Sequence, residues 1–195
     1  MTVAWTQAAE GLPRRAFIVE DVRRMVDAGV ISEDERIELI EGDIVVLEHN
    51  RAAHDLIKNV LATAMMQASP QELLVGVATT LQLADYSLVD ADIAIVRRAG
   101  YKSSKSGFAQ PHSSDVLLVV EIAGENLNYD RDIKPRLCAQ YGVGEFWLIE
   151  PNERVTWVHT QPSGETWSSI VERGPHETLT TPALPGFSIR LADID

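Results

Sequence analysis

A chain of 195 residues with 45% apolar content has enough material for one domain with a buried core. No apolar run is long enough to cross a bilayer, and residues 1–15 lack the basic start and apolar stretch of a secretory signal, so a cytoplasmic location is expected. The net charge of −12 argues against non-specific coating of nucleic acid, and a single cysteine, Cys138, excludes an internal disulfide.

Residues 1–16 read as a loosely ordered start, and 17–191 as one domain. Within Phe17–Gly29 the apolar residues Val19, Val22, Met25 and Val26 recur at helical spacing, with Gly29 placed to end the helix. Ile37–Ile40 and Ile44–Leu47 form a hairpin about Glu41-Gly42-Asp43, with Gly42 where φ must be positive. Arg51–Ala68 is the clearest amphipathic helix, ended by Ser69-Pro70.

Leu73–Val77, Thr80–Leu83 and Asp92–Val96 read as strands, and Gly100–Pro111 as a mobile loop rich in Ser, Gly and Lys. Asp115–Ile122 is almost wholly apolar, as a strand covered on both faces should be. Asp132–Tyr141 is helical; Pro135 is tolerated only in its first turn, and Gly142 stops it. Gly144–Ile149 and Arg154–His159 are strands joined at Pro151-Asn152, and 167–173 and 177–191 supply edge strands and a tail. The sum is an α/β fold, a mixed central sheet flanked by helices, with an N-terminal helix and β-hairpin.

The chemistry concentrates in Leu117–Pro151. An apolar strand ends in Glu121, a polar loop with Tyr129-Asp130-Arg131 follows, and Lys134 opens a helix. Upstream, Asp92 begins another apolar run. Two strands that each carry an acid near one end can hold Mg²⁺ or Mn²⁺, which take oxygen ligands. A nearby ammonium can orient water and offset negative charge in a transition state. The plain alternative is that Asp92 starts a strand, Glu121 emerges into solvent and Lys134 is a solvated helix lysine. Arg97, Arg98, Lys102 and Lys105 cluster after the first strand, and Arg131, Lys134 and Arg136 after the second; if both lined one cleft, it would be locally cationic despite the net charge.

From about residue 17 to 190 the chain resembles the Uma2 family, bacterial proteins of the PD-(D/E)XK restriction-endonuclease-like superfamily. The segments that carry the likeness are Arg36–Val46 (RIELIEGDIVV), the His54 helix, Ala91–Arg97 (ADIAIVR), and VVEI, NYDRDIK and YGVGEFWLIE within Leu118–Glu150. The resemblance implies a restriction-endonuclease-like fold, Mg²⁺ (or Mn²⁺) as cofactor, hydrolysis of DNA phosphodiester bonds, and a homodimer. It implies catalytic roles for Asp92, Glu121, Lys134 and Glu38, with Asp92 and Glu121 as metal ligands. Asp43 and His54 also match family positions. The chain departs from the superfamily pattern in two places. Ala91 stands where a proline precedes the first acid, and Ala123 where a lysine lies two residues beyond the second; Lys134 supplies the lysine from the following helix. Glu125 adds an acid beside the expected site.

Two other functions are compatible with these residues. One is a catalytically inactive binding or regulatory module on a nuclease scaffold, which the charge of −12 favours. The other is a metal-dependent hydrolase of small phosphoesters, which would need a closed pocket rather than an open groove.

Overall fold

The computed structural model describes residues 5–7, 12–32, 34–47, 52–101, 111–124 and 129–194. The chain opens with β1 (Trp5–Gln7) and β2 (Pro13–Arg15), which pair antiparallel, and helix α1 (Val19–Asp27). The hairpin β3 (Ile37–Ile40) and β4 (Asp43–Val46) follows, then α2 (Ala52–Ala68). Next come β5 (Leu73–Ala84), β6 (Ser87–Arg97) and β7 (Val116–Ile122). A π-type turn, Tyr129–Ile133, leads directly into α3 (Lys134–Gln140). The remainder is β8 (Glu145–Glu150), β9 (Val155–Ser163), β10 (Thr166–Arg173), β11 (Leu179–Thr181) and β12 (Leu184–Ile189).

Eight strands form one mixed sheet in the order β10-β9-β8-β7-β6-β3-β4, with β5 also on β6. The pair β7–β8 is parallel and the other pairs are antiparallel. A parallel pair needs a crossover, and α3 provides it. The expected α/β class, a mixed sheet between helices with an N-terminal helix and hairpin, is the fold observed.

Strand alternation divides the core. Ile93, Ile95, Leu118, Val120, Ile122, Trp147 and Ile149 pack with Ile57, Leu61 and Met65 of α2. Ala94, Val96, Val119, Phe146 and Leu148 pack on the other face with Leu137 and Cys138 of α3. The buried spacing 54, 57, 61, 65 is the helical repeat that turns one stripe of α2 onto the sheet, with His54 at its head.

Several elements differ from expectation. Thr80–Leu83 is not a separate strand, because β5 runs on to Ala84. Its pairing with β6 is interrupted at Ala78 (φ 49°), between Val77↔Ile93 and Thr79↔Ala91. Asp92 therefore lies within a long strand rather than at its start, opposite a backbone irregularity. Side-chain alternation also changes phase there, since Val89 and Ala91 join the same cluster as Ala94 and Val96. The hairpin turn has two positive-φ residues, Glu41 (50°) and Gly42 (94°), the twisted geometry two-residue hairpins favour. The 177–191 segment is not an edge of the main sheet; β11 and β12 form their own pair, and Leu179, Leu184 and Phe187 close the core over α2. Most of the loop at 100–111, with Lys102 and Lys105, and the acid Glu125 lie outside the described residues.

Candidate active site at a fork in the sheet

A strand has two edges, and β5 occupies one edge of β6 almost throughout. Both β7 and β3 must then share the other. β7 pairs with β6 at Ile93–Val96, and β3 pairs with it at Leu88. Between these contacts, over 89–92, the sheet forks, and the inward backbone groups of β6 have no strand to pair with.

Side chains fill that gap. The backbone N–H of Asp90 donates to Glu38 Oε1 (2.9 Å), and Lys134 Nζ donates to the carbonyl oxygen of Asp90 (2.9 Å). Unpaired buried backbone groups are costly, so these two side chains complete the sheet where the neighbouring strands part. At the tip of β7, Asp92 Oδ2 accepts from the backbone N–H of Ile122 (2.9 Å) and from Nε2 of His54 (2.8 Å).

Lys134 is the hub. Its ammonium lies 3.1 Å from Glu38 Oε1 and 3.0 Å from Glu121 Oε2, besides the Asp90 carbonyl. All its protons are engaged. Glu38, Glu121 and Lys134 are all buried. Burial pushes Glu121 well above the usual carboxylate range; Lys134 opposes this, and Asp92, Asp130 and Glu38 reinforce it. Burial also works against the Lys134 charge, but Glu121 and Glu38 outweigh it and hold the ammonium protonated. Asp130, whose Oδ2 accepts from the Gly124 N–H (3.1 Å), is likewise raised by burial.

The structure thus brings Glu121, Lys134 and Glu38 into one buried cluster, with the half-buried Asp92, held by His54, near enough to act electrostatically on Glu121. It adds Tyr129, Asp90 and Asp130. In sequence, Tyr129 and Asp130 looked like part of a polar loop, and Asp90 carried no signal, because its role is played by backbone. Asp43 is the first residue of β4, across the hairpin from Ile40.

Of the two cationic clusters, Lys134 alone among the described residues sits at the fork. Arg97 ends β6 and Arg98 follows it, next to Val96, which pairs with Val116, the first residue of β7. Glu121 is five residues further along β7, about 16 Å at strand rise. Arg97 and Arg98 bond the carbonyl oxygens of Ser114, Gln71 and Leu73. Arg131 lies over the Trp157 ring, and Arg136 pairs with Glu41 and Glu165.

Would a divalent cation fit? Among the described residues Glu121 Oε1 is buried with no hydrogen-bond partner, an expensive state for a carboxylate oxygen. Both hydrogen bonds to Asp92 go to Oδ2. Among the described residues no three His, Cys, Asp or Glu side chains are grouped to hold a metal. Two carboxylate oxygens suit a cation such as Mg²⁺, which keeps much of its water and takes one or two carboxylates plus substrate phosphates. The donor set fits.

The fork, the crossover helix and the buried acids define a restriction-endonuclease-like α/β scaffold. A solved structure described as a putative nuclease belonging to DUF820 from Anabaena variabilis is similar in fold, with a TM-score of 0.68 over 86% of this chain and 94% of that one, at 16% identity. The chain belongs to the Uma2 family, described as "Putative restriction endonuclease", whose profile matches residues 19–192. No curated protein matches the chain. Among the described residues no helix is long and apolar enough to cross a membrane.

Proposed function

We propose that this protein is a Mg²⁺- or Mn²⁺-dependent endonuclease that hydrolyses DNA phosphodiester bonds at the fork of its sheet. The observation that carries this reading is the bare, buried Glu121 Oε1, within electrostatic reach of Asp92, with Lys134 on the other oxygen. Asp92 and Glu121 are the residues that would hold the cation. When bound, it would polarise a phosphoryl oxygen and make a bound water easier to deprotonate.

The chain's own residues supply the rest. His54 and the Ile122 N–H hold Asp92 Oδ2 from two directions, which fixes the carboxylate plane. Lys134 stays charged and, on exchanging its Glu121 contact for a phosphate oxygen, stabilises negative charge as it develops. Its burial makes that interaction stronger than it would be in water. Glu38 stays behind as the counter-charge.

Family membership supports a nucleic acid as substrate, with DNA the reading proposed here. Each subunit offers one cluster, so cutting both strands of a duplex together calls for a homodimer.

A second reading, a binding module without catalysis, draws on one observation: every Lys134 proton already has an acceptor within the protein. Supercoiled plasmid incubated with protein and Mn²⁺ separates the two. The endonuclease reading expects nicked and linear products from the wild type and none from Asp92→Asn; intact plasmid with both proteins favours the binding module.

A further inference from the structure

Glu38 is at a position the family resemblance marks for catalysis, yet its carboxylate is occupied. Oε1 accepts from the Asp90 N–H and from Lys134, and Oε2 accepts from the phenol of Tyr129. These donors use both oxygens of a side chain only 1% exposed. Glu121, by contrast, leaves one oxygen bare. The two glutamates flank one ammonium and are not equivalent.

Tyr129 touches this arrangement twice. Its hydroxyl holds Glu38 Oε2, and the face of its ring lies 5.7 Å from Lys134 Nζ, within range of a cation–π contact. It is also the first residue of the π-type turn that runs into Lys134 at the start of α3. The phenol therefore ties the β3 carboxylate to the segment that carries the lysine, and π-type turns are unusual enough to mark a constrained site.

We infer that Glu38 and Tyr129 are positioning residues: they form a clamp that sets the place of the Lys134 ammonium, and neither binds the metal. The inference rests on the nuclease reading of the site for its catalytic consequence, but the clamp can be measured without any activity. Glu38 holds Lys134 through Oε1 at 3.1 Å, a contact separate from the one Lys134 makes with Glu121 Oε2. When Lys134 gives up Glu121, the clamp keeps the ammonium within reach of the same space. A Phe at 129 keeps the ring over Lys134 and removes only the hydroxyl that fixes Glu38.

The chain has four lysines, Lys58, Lys102, Lys105 and Lys134. In the full-length protein labelled with ¹⁵N-lysine, the buried ammonium of Lys134 should give a slowly exchanging signal, identified by its loss in Lys134→Met. Tyr129→Phe should speed its exchange with water by about fivefold or more, the loss of one hydrogen bond. An exchange rate unchanged in Tyr129→Phe overturns the clamp. In calorimetric titration with Mn²⁺, Tyr129→Phe and Glu38→Gln should each bind within about threefold of wild type; a loss of about tenfold or more in Glu38→Gln makes Glu38 a ligand and overturns the inference. In plasmid nicking, Tyr129→Phe should lower kcat by about tenfold with KM unchanged, the sign of an interaction made in the transition state. A fall confined to KM contradicts it. Should the wild type neither bind Mn²⁺ nor cut DNA, the nuclease reading fails, and the exchange rates still decide the clamp.

Discussion

Lys134 Nζ lies 3.0 Å from Glu121 Oε2, while Glu121 Oε1, also buried, has no partner among the described residues. One oxygen is neutralised and the other is bare. A fold built only for stability gains nothing from a carboxylate held in that state. The arrangement makes sense where the bare oxygen is kept for a ligand, and its cost should be measurable.

The cost appears as pH dependence. Burial raises the Glu121 pKa above the ordinary 4.5, so the folded state holds this proton more tightly than the unfolded chain does. The stability this contributes is complete below pH 4.5 and is lost as pH rises through the folded value. Glu121→Gln keeps an acceptor for Lys134 and removes the charge. In metal-free buffer the variant should match wild type near pH 4.5 and be more stable at neutral pH, by about 1 kcal/mol, as active-site neutralisations often are. Thermal unfolding across pH checks this; a variant less stable than wild type at every pH contradicts it.

α3 is tied to the sheet through Trp167. Its indole N–H donates to the carbonyl oxygen of Pro135 (2.9 Å), one residue after Lys134. Trp167→Phe keeps a ring in place and loses this bond. The expected cost is about 1 kcal/mol in urea unfolding. If the tether sets α3, Mn²⁺-dependent cleavage should fall as well; unchanged stability and activity would show that packing alone holds the helix.

His159 gives the opposite pH slope. It is buried, with Nδ1 within 3.2 Å of the carbonyl oxygens of Phe146 and Trp157, and its ring meets Phe146 and Trp167 edge-on. Burial lowers its pKa from 6.5, so the unfolded chain takes up the proton first. Stability from this group is complete above pH 6.5 and declines as pH falls toward the folded value. His159→Gln should lose less stability than wild type as pH drops below 6.5. Parallel profiles for the two proteins would contradict this.

Cys138 sits between α3 and the sheet at 1% exposure, and burial raises its thiol pKa. A thiol so placed is inert while the fold is intact. Labelling with a thiol reagent should occur only at the rate of unfolding. Rapid stoichiometric labelling of the native protein would show that α3 opens on its own.

Much of this fold was legible in the sequence because it rests on local pattern. The α2 stripe, the hairpin with Gly42, the apolar β7 and β8, and Pro135 in the first turn of α3 all follow from periodicity and turn chemistry. The long β6 was read short, since Ser87–Asp90 carries two polar residues in four and gives no clear strand alternation. The fork was not legible at all. It depends on β3 and β7 sharing one edge of β6, a tertiary fact with no local signature. For that reason Asp90 carries no signal in the sequence, Tyr129 reads as part of a loop, and nothing local reveals the donors that occupy Glu38. Arg97 and Arg98, close to Asp92 in sequence, lie away from Glu121 in space because β6 and β7 are antiparallel.

The central claim is that Asp92 and Glu121 form a cation site. Calorimetric titration of Mg²⁺ and Mn²⁺ into the wild type and Asp92→Ala tests it most directly. The account predicts saturable binding to the wild type and its loss in a variant that remains folded. Absence of binding to the wild type, even with duplex DNA present, or equal binding by both proteins, would contradict it.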